Sequence, residues 1–278
     1  MCKKPLILPD RVVKCGQCIE CLIQRSQEWS FRLEEEAKDA KSGVFLTLTY
    51  DPDEIPICED ENGNLHTTLY KKDVQNFLKK CRYYQGKHDG DWKNKVRYFA
   101  IGEYGDETKR AHYHMIIFNL SPKTINKLDK IWNKGFVKRD DVNPKTIRYV
   151  TNYMLLKDKD IIPCQQKPFA IMSKKPILGA GYVIRNYATH VDDIDPELKR
   201  AGKHKRPLFR SLSNQVFTPK QIPEFRKKRD EMLNPWIENI ERIAKEKEPL
   251  DPHGYMREQV KQRAETKERM HKNKRKKI

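Results

Sequence analysis

No apolar run in this chain of 278 residues reaches the roughly 18–20 residues that a membrane-spanning helix needs. The start, Met1-Cys2-Lys3-Lys4-Pro5, carries no apolar stretch after its charges, so no secretory signal is expected. A loop of the form G-x-x-x-x-G-K-[ST] is missing, which leaves no ATP-driven helicase motor. Acidic residues are scarce relative to basic ones, 39 Asp and Glu against 57 Lys and Arg, for a formal net charge of +18. That excess goes well beyond what solubility requires and points to a polyanionic partner. Cysteines number seven; an odd count argues against a disulfide framework and for a reducing compartment. Hydrophobic residues are only 37% of the chain, a modest core that still suffices for one large domain or two small ones.

The most informative stretch is Arg110-Ala111-His112-Tyr113-His114-Met115-Ile116-Ile117-Phe118. Its apolar second half predicts a strand, and residues two apart in a strand point to the same face. His112 and His114 then project side by side, as a nitrogen-donor metal site requires. Downstream, Pro144 marks a helix start, and a helix over 145–157 places Tyr149, Tyr153 and Lys157 on one face at i, i+4 and i+8.

The rest of the pattern gives an α+β chain. Helices are expected over 22–41, 71–84 and 122–133, strands over 44–50, 96–103, 111–119 and 135–138, and a turn-rich insertion with a small hairpin over 51–69. From Val44 to Lys138 the order is βαββαβ, the ferredoxin-like arrangement of an antiparallel sheet with helices on one face, the other being left for nucleic acid and the tyrosine helix. The expected divisions are 1–42 (Cys-rich segment and helix), 43–190 (the ferredoxin-like domain), 191–256 (a helical extension) and 257–278 (a basic tail). Residues 158–218 mix basic patches with Phe169, Tyr182, Tyr187, Phe209 and Phe217, a composition suited to single-stranded nucleic acid. The tail holds 10 Lys or Arg against 3 Glu and reads as a disordered, non-specific DNA contact. Cys2, Cys15, Cys18 and Cys21 include two overlapping C-x-x-C units that suit a structural Zn²⁺ site, the alternative being a short loop of reduced thiols.

The ordered set of motifs resembles the HUH endonucleases, and most of all the replication initiators of small icosahedral single-stranded DNA phages, the gokushovirus-like microviruses. Phe45-Leu46-Thr47-Leu48-Thr49-Tyr50-Asp51 is similar to that family's first motif, and His112-Tyr113-His114 to its histidine pair. Tyr149 and Tyr153 with Lys157 resemble its two-tyrosine helix. Gly102-Glu103-Tyr104-Gly105 lies where viral HUH initiators carry a third metal ligand, and Cys15 to Cys21 followed by Arg25, Trp29 and Arg32 resembles the start of microviral initiators. The resemblance covers residues 45–157.

It implies an HUH palm in which Glu103, His112 and His114 hold Mg²⁺ or Mn²⁺, Tyr149 and Tyr153 act as nucleophiles, and Lys157 stabilises an oxyanion or holds a phosphate. It implies nicking and strand transfer at a single-stranded DNA origin through a 5′-phosphotyrosine, in rolling-circle replication within the cytoplasm of a bacterial host cell. Host helicase and DNA polymerase would be the partners, since the chain has no motor of its own. Two alternatives remain. One is a plasmid initiator or mobilisation relaxase of the same chemistry, although relaxases usually place the tyrosine ahead of the histidines. The other is a non-catalytic ferredoxin-like nucleic-acid-binding protein, against which stands the display of His and Thr rather than paired aromatics on the strands.

Overall fold

The computed structural model describes residues 6–8, 11–13, 15–90, 95–105, 108–153, 161–199 and 206–232. The expected tail 257–278, Lys157, Cys2 and most of the expected helix 219–247 lie outside the described residues, residues 222–232 of that helix being helical. The chain divides into two compact units, Trp29–Ala180 and Met1–Glu28 with Gly181–Ile278.

In chain order come β1 (Leu6–Leu8), β2 (Arg11–Val13), α1 (Ile19–Asp39), β3 (Gly43–Thr49), β4 (Ile57–Glu59), β5 (Leu65–Thr67), α2 (Lys71–Asp89), β6 (Arg97–Tyr104) and β7 (Ala111–Phe118). There follow α3 (Pro122–Ile125), α4 (Leu128–Trp132), β8 (Val137–Asp141), α5 (Pro144–Asn152), β9 (Phe169–Met172), α6 (Ala180–Val191) and α7 (Arg210–Val216). The unit Trp29–Ala180 is built on a five-stranded sheet of order β8-β3-β7-β6-β9, antiparallel at every pairing. Without β9, the order of its four main strands by appearance is four-one-three-two, so the ferredoxin-like expectation holds.

Strand alternation sorts the core into two faces. Leu46, Leu48, Ala100, Tyr113, Met115 and Ile117 pack with Val74, Phe77, Leu78 and Cys81 of α2 and with Leu128, Ile131 and Trp132 of α4. Phe45, Phe99, Ile101, Ile116 and Phe118 face the other way, onto Leu33 of α1 and onto Ile147 and Val150 of α5. The expectation of helices on one face is thus corrected: α1 covers the second face beside α5. A buried ion pair seats it there. Arg97 at the start of β6 donates to Glu36 of α1 at 2.6 Å and to the carbonyls of Pro176 and Ile177 at 2.8 and 3.0 Å. Glu36 also accepts the Gly179 N–H at 2.7 Å. Because both side chains are largely buried, removing one leaves the other charge unpaired. Glu36→Ala is expected to lower the unfolding free energy by about 3–5 kcal/mol, read by urea denaturation; a loss under about 1 kcal/mol would place the pair in the class of surface ion pairs.

The expected helix 122–133 is two short ones, α3 and α4, separated at Asn126 and Lys127. Ser121 caps the first, accepting the Thr124 N–H. The last strand is Val137–Asp141, later than expected, since Gly135 turns the chain at φ 145° against the backbone of Thr49 and Asp51. β8 is a sheet edge whose last four residues, Lys138 to Asp141, are exposed and charged, which discourages pairing with another chain. The hairpin foreseen within 51–69 is β4 with β5. β9 was not foreseen in the sequence. Cys58 of β4 and Cys164 are joined as a disulfide, a correction at one pair to the expectation of unpaired thiols.

In the other unit, α6 and α7 enclose Tyr182, His190, Leu212 and Val216. His190 donates from Nδ1 to the Asp195 carbonyl at 2.9 Å, so its Nε2 accepts the Tyr182 hydroxyl at 3.0 Å. Among the described residues no helix is long and apolar enough to cross a membrane.

Candidate active site

Register places the chemistry. His112 of β7 stands opposite Glu103 of β6 on one side and Thr49 of β3 on the other; His114 stands opposite Ile101 and Thr47. All of these point to the α1/α5 face. Tyr113, between the histidines, points the opposite way and is fully buried. Its hydroxyl contacts that of Tyr50 at 2.9 Å and accepts the Tyr70 N–H at 2.8 Å. Burial pushes the Tyr113 phenol up to about 12, so it stays a neutral structural anchor. A slip of one residue would bury both imidazoles in that core and expose Tyr113, so the same alternation that aims the histidines also locks the strand.

His114 is buried. Its Nδ1 meets the Thr47 hydroxyl at 3.0 Å and its Nε2 meets Glu103 Oε1 at 3.3 Å. His112 donates from Nδ1 to the Arg110 carbonyl at 2.8 Å, which leaves Nε2 as the nitrogen able to accept a metal or proton. The two imidazole planes are nearly parallel, 6° apart, with centroids at 6.5 Å. Gly105 faces His112: a Cβ there would come within 3.0 Å of the ring.

α5 delivers the tyrosines. Asn143 caps it in a reciprocal box with Thr146, and Pro144 occupies the first turn. Ile147, Val150 and Thr151 are its buried residues, which seats the helix on the sheet and turns Tyr149 and Tyr153 toward His114. Tyr149 meets the His114 ring edge-on at 5.2 Å, and Tyr153 stacks on it at 5.0 Å. The two hydroxyls are 2.5 Å apart. Burial, the bond to Tyr149 and the nearby Glu103 charge together push the Tyr153 phenol well above its ordinary range. Tyr153 is the residue that ends α5, so Lys157 and the rest of the expected helical face lie outside the described residues.

Five of the residues singled out in sequence therefore meet in one place: Glu103, His112, His114, Tyr149 and Tyr153. Glu103, His112 and His114 do not close on a common point. Among the described residues, the group of three or more metal-donor side chains with all donor atoms within 4.8 Å is Cys15, Cys18 and Cys21. The donor set of one carboxylate and two imidazoles still suits a divalent ion, with Nε2 of His112 free of the Arg110 contact and Nε2 of His114 already at the carboxylate. Sequence reasoning missed Thr47 as the partner of His114 and Phe45 as the ring lying parallel to it at 6.1 Å. Their signal was available in parity: Phe45, Thr47 and Thr49 alternate onto one face. On the opposite face of the sheet, toward β9, a cleft of about 880 Å³ is lined by Lys71, Arg82, Lys95, Lys174 and Lys175 among others.

Residues 43–159 match the family model of replication-associated proteins of the ORF2 type, which bears out the resemblance read from residues 45–157. The chain is 29% identical over 54% of its length to replication-associated protein ORF4 of Chlamydia phage 1, of which it covers 39%. It is 28% identical over 63% of its length to replication-associated protein ORF2 of Spiroplasma virus 4, of which it covers 58%. Replication-associated protein VP4 of Bdellovibrio phage phiMH2K is 25% identical over 50% of this chain and 46% of that one. The chain thus spans less than two thirds of each of these relatives. Among solved structures, the N-terminal nuclease domain of minute virus of mice non-structural protein-1 aligns over 66% of this chain and 73% of that one, at 10% identity and a TM-score of 0.19, too low to equate the two folds.

Proposed function

We propose that this chain, whose segment 43–159 matches a family of replication-associated proteins, initiates phage DNA replication by nicking and rejoining single-stranded origin DNA through tyrosine. The observation that carries this reading is the pair of phenols poised against His114, with hydroxyls 2.5 Å apart on a capped helix. A core stripe of tyrosines would bury its hydroxyls among apolar side chains. Here both rings contact an imidazole that already touches a carboxylate.

In the proposed reaction a tyrosine oxygen attacks the scissile phosphorus. The Tyr O–P bond forms, the bond from phosphorus to the 3′ oxygen breaks, the phenolic proton leaves, and the 3′ oxygen takes a proton to become a free hydroxyl. The linkage keeps the energy of the phosphodiester, so no ATP is needed. Glu103, His112 and His114 would hold Mg²⁺ or Mn²⁺, which polarises the phosphate and eases departure of the 3′ oxygen. The chain's own part is positioning: Thr47 and the Arg110 carbonyl fix the two imidazoles, and α5 fixes the two phenols. The high affinity of the Tyr153 phenol for its proton means that the nucleophile needs help, and the cation answers the Glu103 share of that cost. Lys157, expected one turn on, would steady the oxyanion or a neighbouring phosphate. The two tyrosines act in turn, one holding the 5′ end and the other cutting the regenerated origin, which completes a rolling circle. Net charge supports a DNA partner, and the basic cleft lined by Lys71, Arg82 and Lys95 gives phosphates a second track. Unwinding and synthesis would fall to host helicase and polymerase in the host cytoplasm.

The test is direct. Incubating the protein with end-labelled single-stranded viral origin DNA and Mn²⁺ is expected to give a protease-sensitive covalent adduct on the 5′ side of the nick. Retarded DNA that dissociates in denaturant, with no cleavage, would instead support the non-catalytic binding protein.

A further inference from the structure

We propose that Cys15, Cys18 and Cys21 bind one zinc ion in a structural site at the start of α1, separate from the ion of the nicking site and outside the segment that matches the replication family. The three sulfurs all lie within 4.8 Å of one another. Thiolates sharing one tetrahedral zinc at about 2.3 Å stand about 3.8 Å apart, inside that limit. A four-iron cluster binds each thiolate through a different iron and holds its sulfurs farther apart, so the spacing favours a single ion.

The backbone is arranged for sulfur carrying negative charge. Gln17 and Cys18 both donate their N–H groups to Cys15 Sγ, at 3.4 and 3.3 Å. Gly16 makes this return possible at φ +73°, in the left-handed region that side chains disfavour. The Cys18 carbonyl accepts the Leu22 N–H at 3.0 Å, so α1's hydrogen bonding begins at Cys18, and Cys21 falls in the first turn. The N-terminal end of a 21-residue helix favours negative charge. None of the three cysteines is in a disulfide. Glu20, in the same turn, has both carboxylate oxygens shielded from solvent without a hydrogen-bond partner among the described residues. Three gathered thiols and a shielded carboxylate within seven residues are a concentration of anionic groups that a divalent cation neutralises. Zinc there would pin the loop to the first turn of the helix, as structural thiolate sites do in short segments that lack a core of their own.

The experiment uses the full chain. Metal analysis of the purified protein is expected to find zinc at about one per chain, and cobalt substitution to give the intense visible absorption of tetrahedral thiolate sites. Cys18→Ser and Cys21→Ser should each lose the metal. Since either substitution can unfold the protein, the wild type supplies a second readout: removing zinc with a chelator should open Cys15, Cys18 and Cys21 to alkylation, mapped by mass spectrometry. Wild-type protein without zinc, alkylation unchanged by the chelator, or brown protein with iron and acid-labile sulfide would each overturn the proposal. His112→Ala separates it from the nicking reading, because that variant should keep its zinc while losing cleavage.

Discussion

Tyr149→Phe combined with Tyr153→Phe is expected to abolish the covalent DNA adduct, with cleavage falling by at least roughly a thousandfold, the scale of losing a nucleophile. Each single substitution should retain adduct formation, unequally, because both rings sit within about 5 Å of His114, at 5.2 and 5.0 Å. Neither single variant should release closed circles in a full replication assay, since the second transfer lacks its nucleophile. The two hydroxyls are in contact at 2.5 Å, so one phosphate position serves either with a small side-chain shift, and placement supplies much of the rate. Phe at these positions keeps the rings and their stacking and removes only the oxygens, so the measurement separates chemistry from packing. A single Phe variant that makes circles at the normal rate would assign that tyrosine to packing alone, and the two-nucleophile scheme would fail.

His112→Ala and His114→Ala are each expected to reduce nicking by at least about a hundredfold, the scale of a lost metal contact or a displaced phosphate, while DNA binding in a gel shift stays within about threefold at fixed salt, since phosphate contacts elsewhere carry affinity. The two should differ in stability. His112 is partly exposed and bonded to one carbonyl, whereas His114 is buried between Thr47, Glu103, Phe45 and the tyrosines. Its removal opens a cavity and leaves Glu103 without its imidazole partner, so thermal unfolding should drop for His114→Ala and barely move for His112→Ala. Excess EDTA should reproduce the loss of nicking in the wild type without changing its melting temperature to the same degree. Full activity of either variant would remove the imidazoles from the chemistry. Wild-type behaviour of Glu103→Ala across a Mn²⁺ titration would move the third ligand elsewhere.

Much of this was written locally. Alternation in Phe45 to Thr49 and in Ala111 to Phe118 decides which side chains share a face, because the strand period is fixed at two. Asn143-Pro144 decides where the tyrosine helix starts, because capping and the proline ring act within one turn. The order of strands and helices from 43 to 141 decides the ferredoxin-like sheet, because so few connections of those elements avoid crossing. The excess of positive charge pointed to the kind of partner before any fold was known.

Tertiary structure decided the rest. Glu103 and His112 become neighbours only because β6 and β7 pair in that register, and a register is a property of two strands and their turn together. The choice of Thr47 for His114, the seat of α1 beside α5 on the site face, and the Arg97–Glu36 pair that holds it join residues tens of positions apart. No local pattern encodes such contacts. Cys58 and Cys164 lie 106 positions apart, and β9 completes the sheet from a segment whose own sequence carries no strand signal strong enough to read. For Cys15, Cys18 and Cys21 the division is different: spacing put the thiols within reach of one another, and the fold of Gly16 and the start of α1 brought their sulfurs together. Sequence thus set the chemistry available on each strand and helix, since side-chain direction follows from local geometry. The structure set which of those groups meet, since only long-range packing brings separate elements into contact.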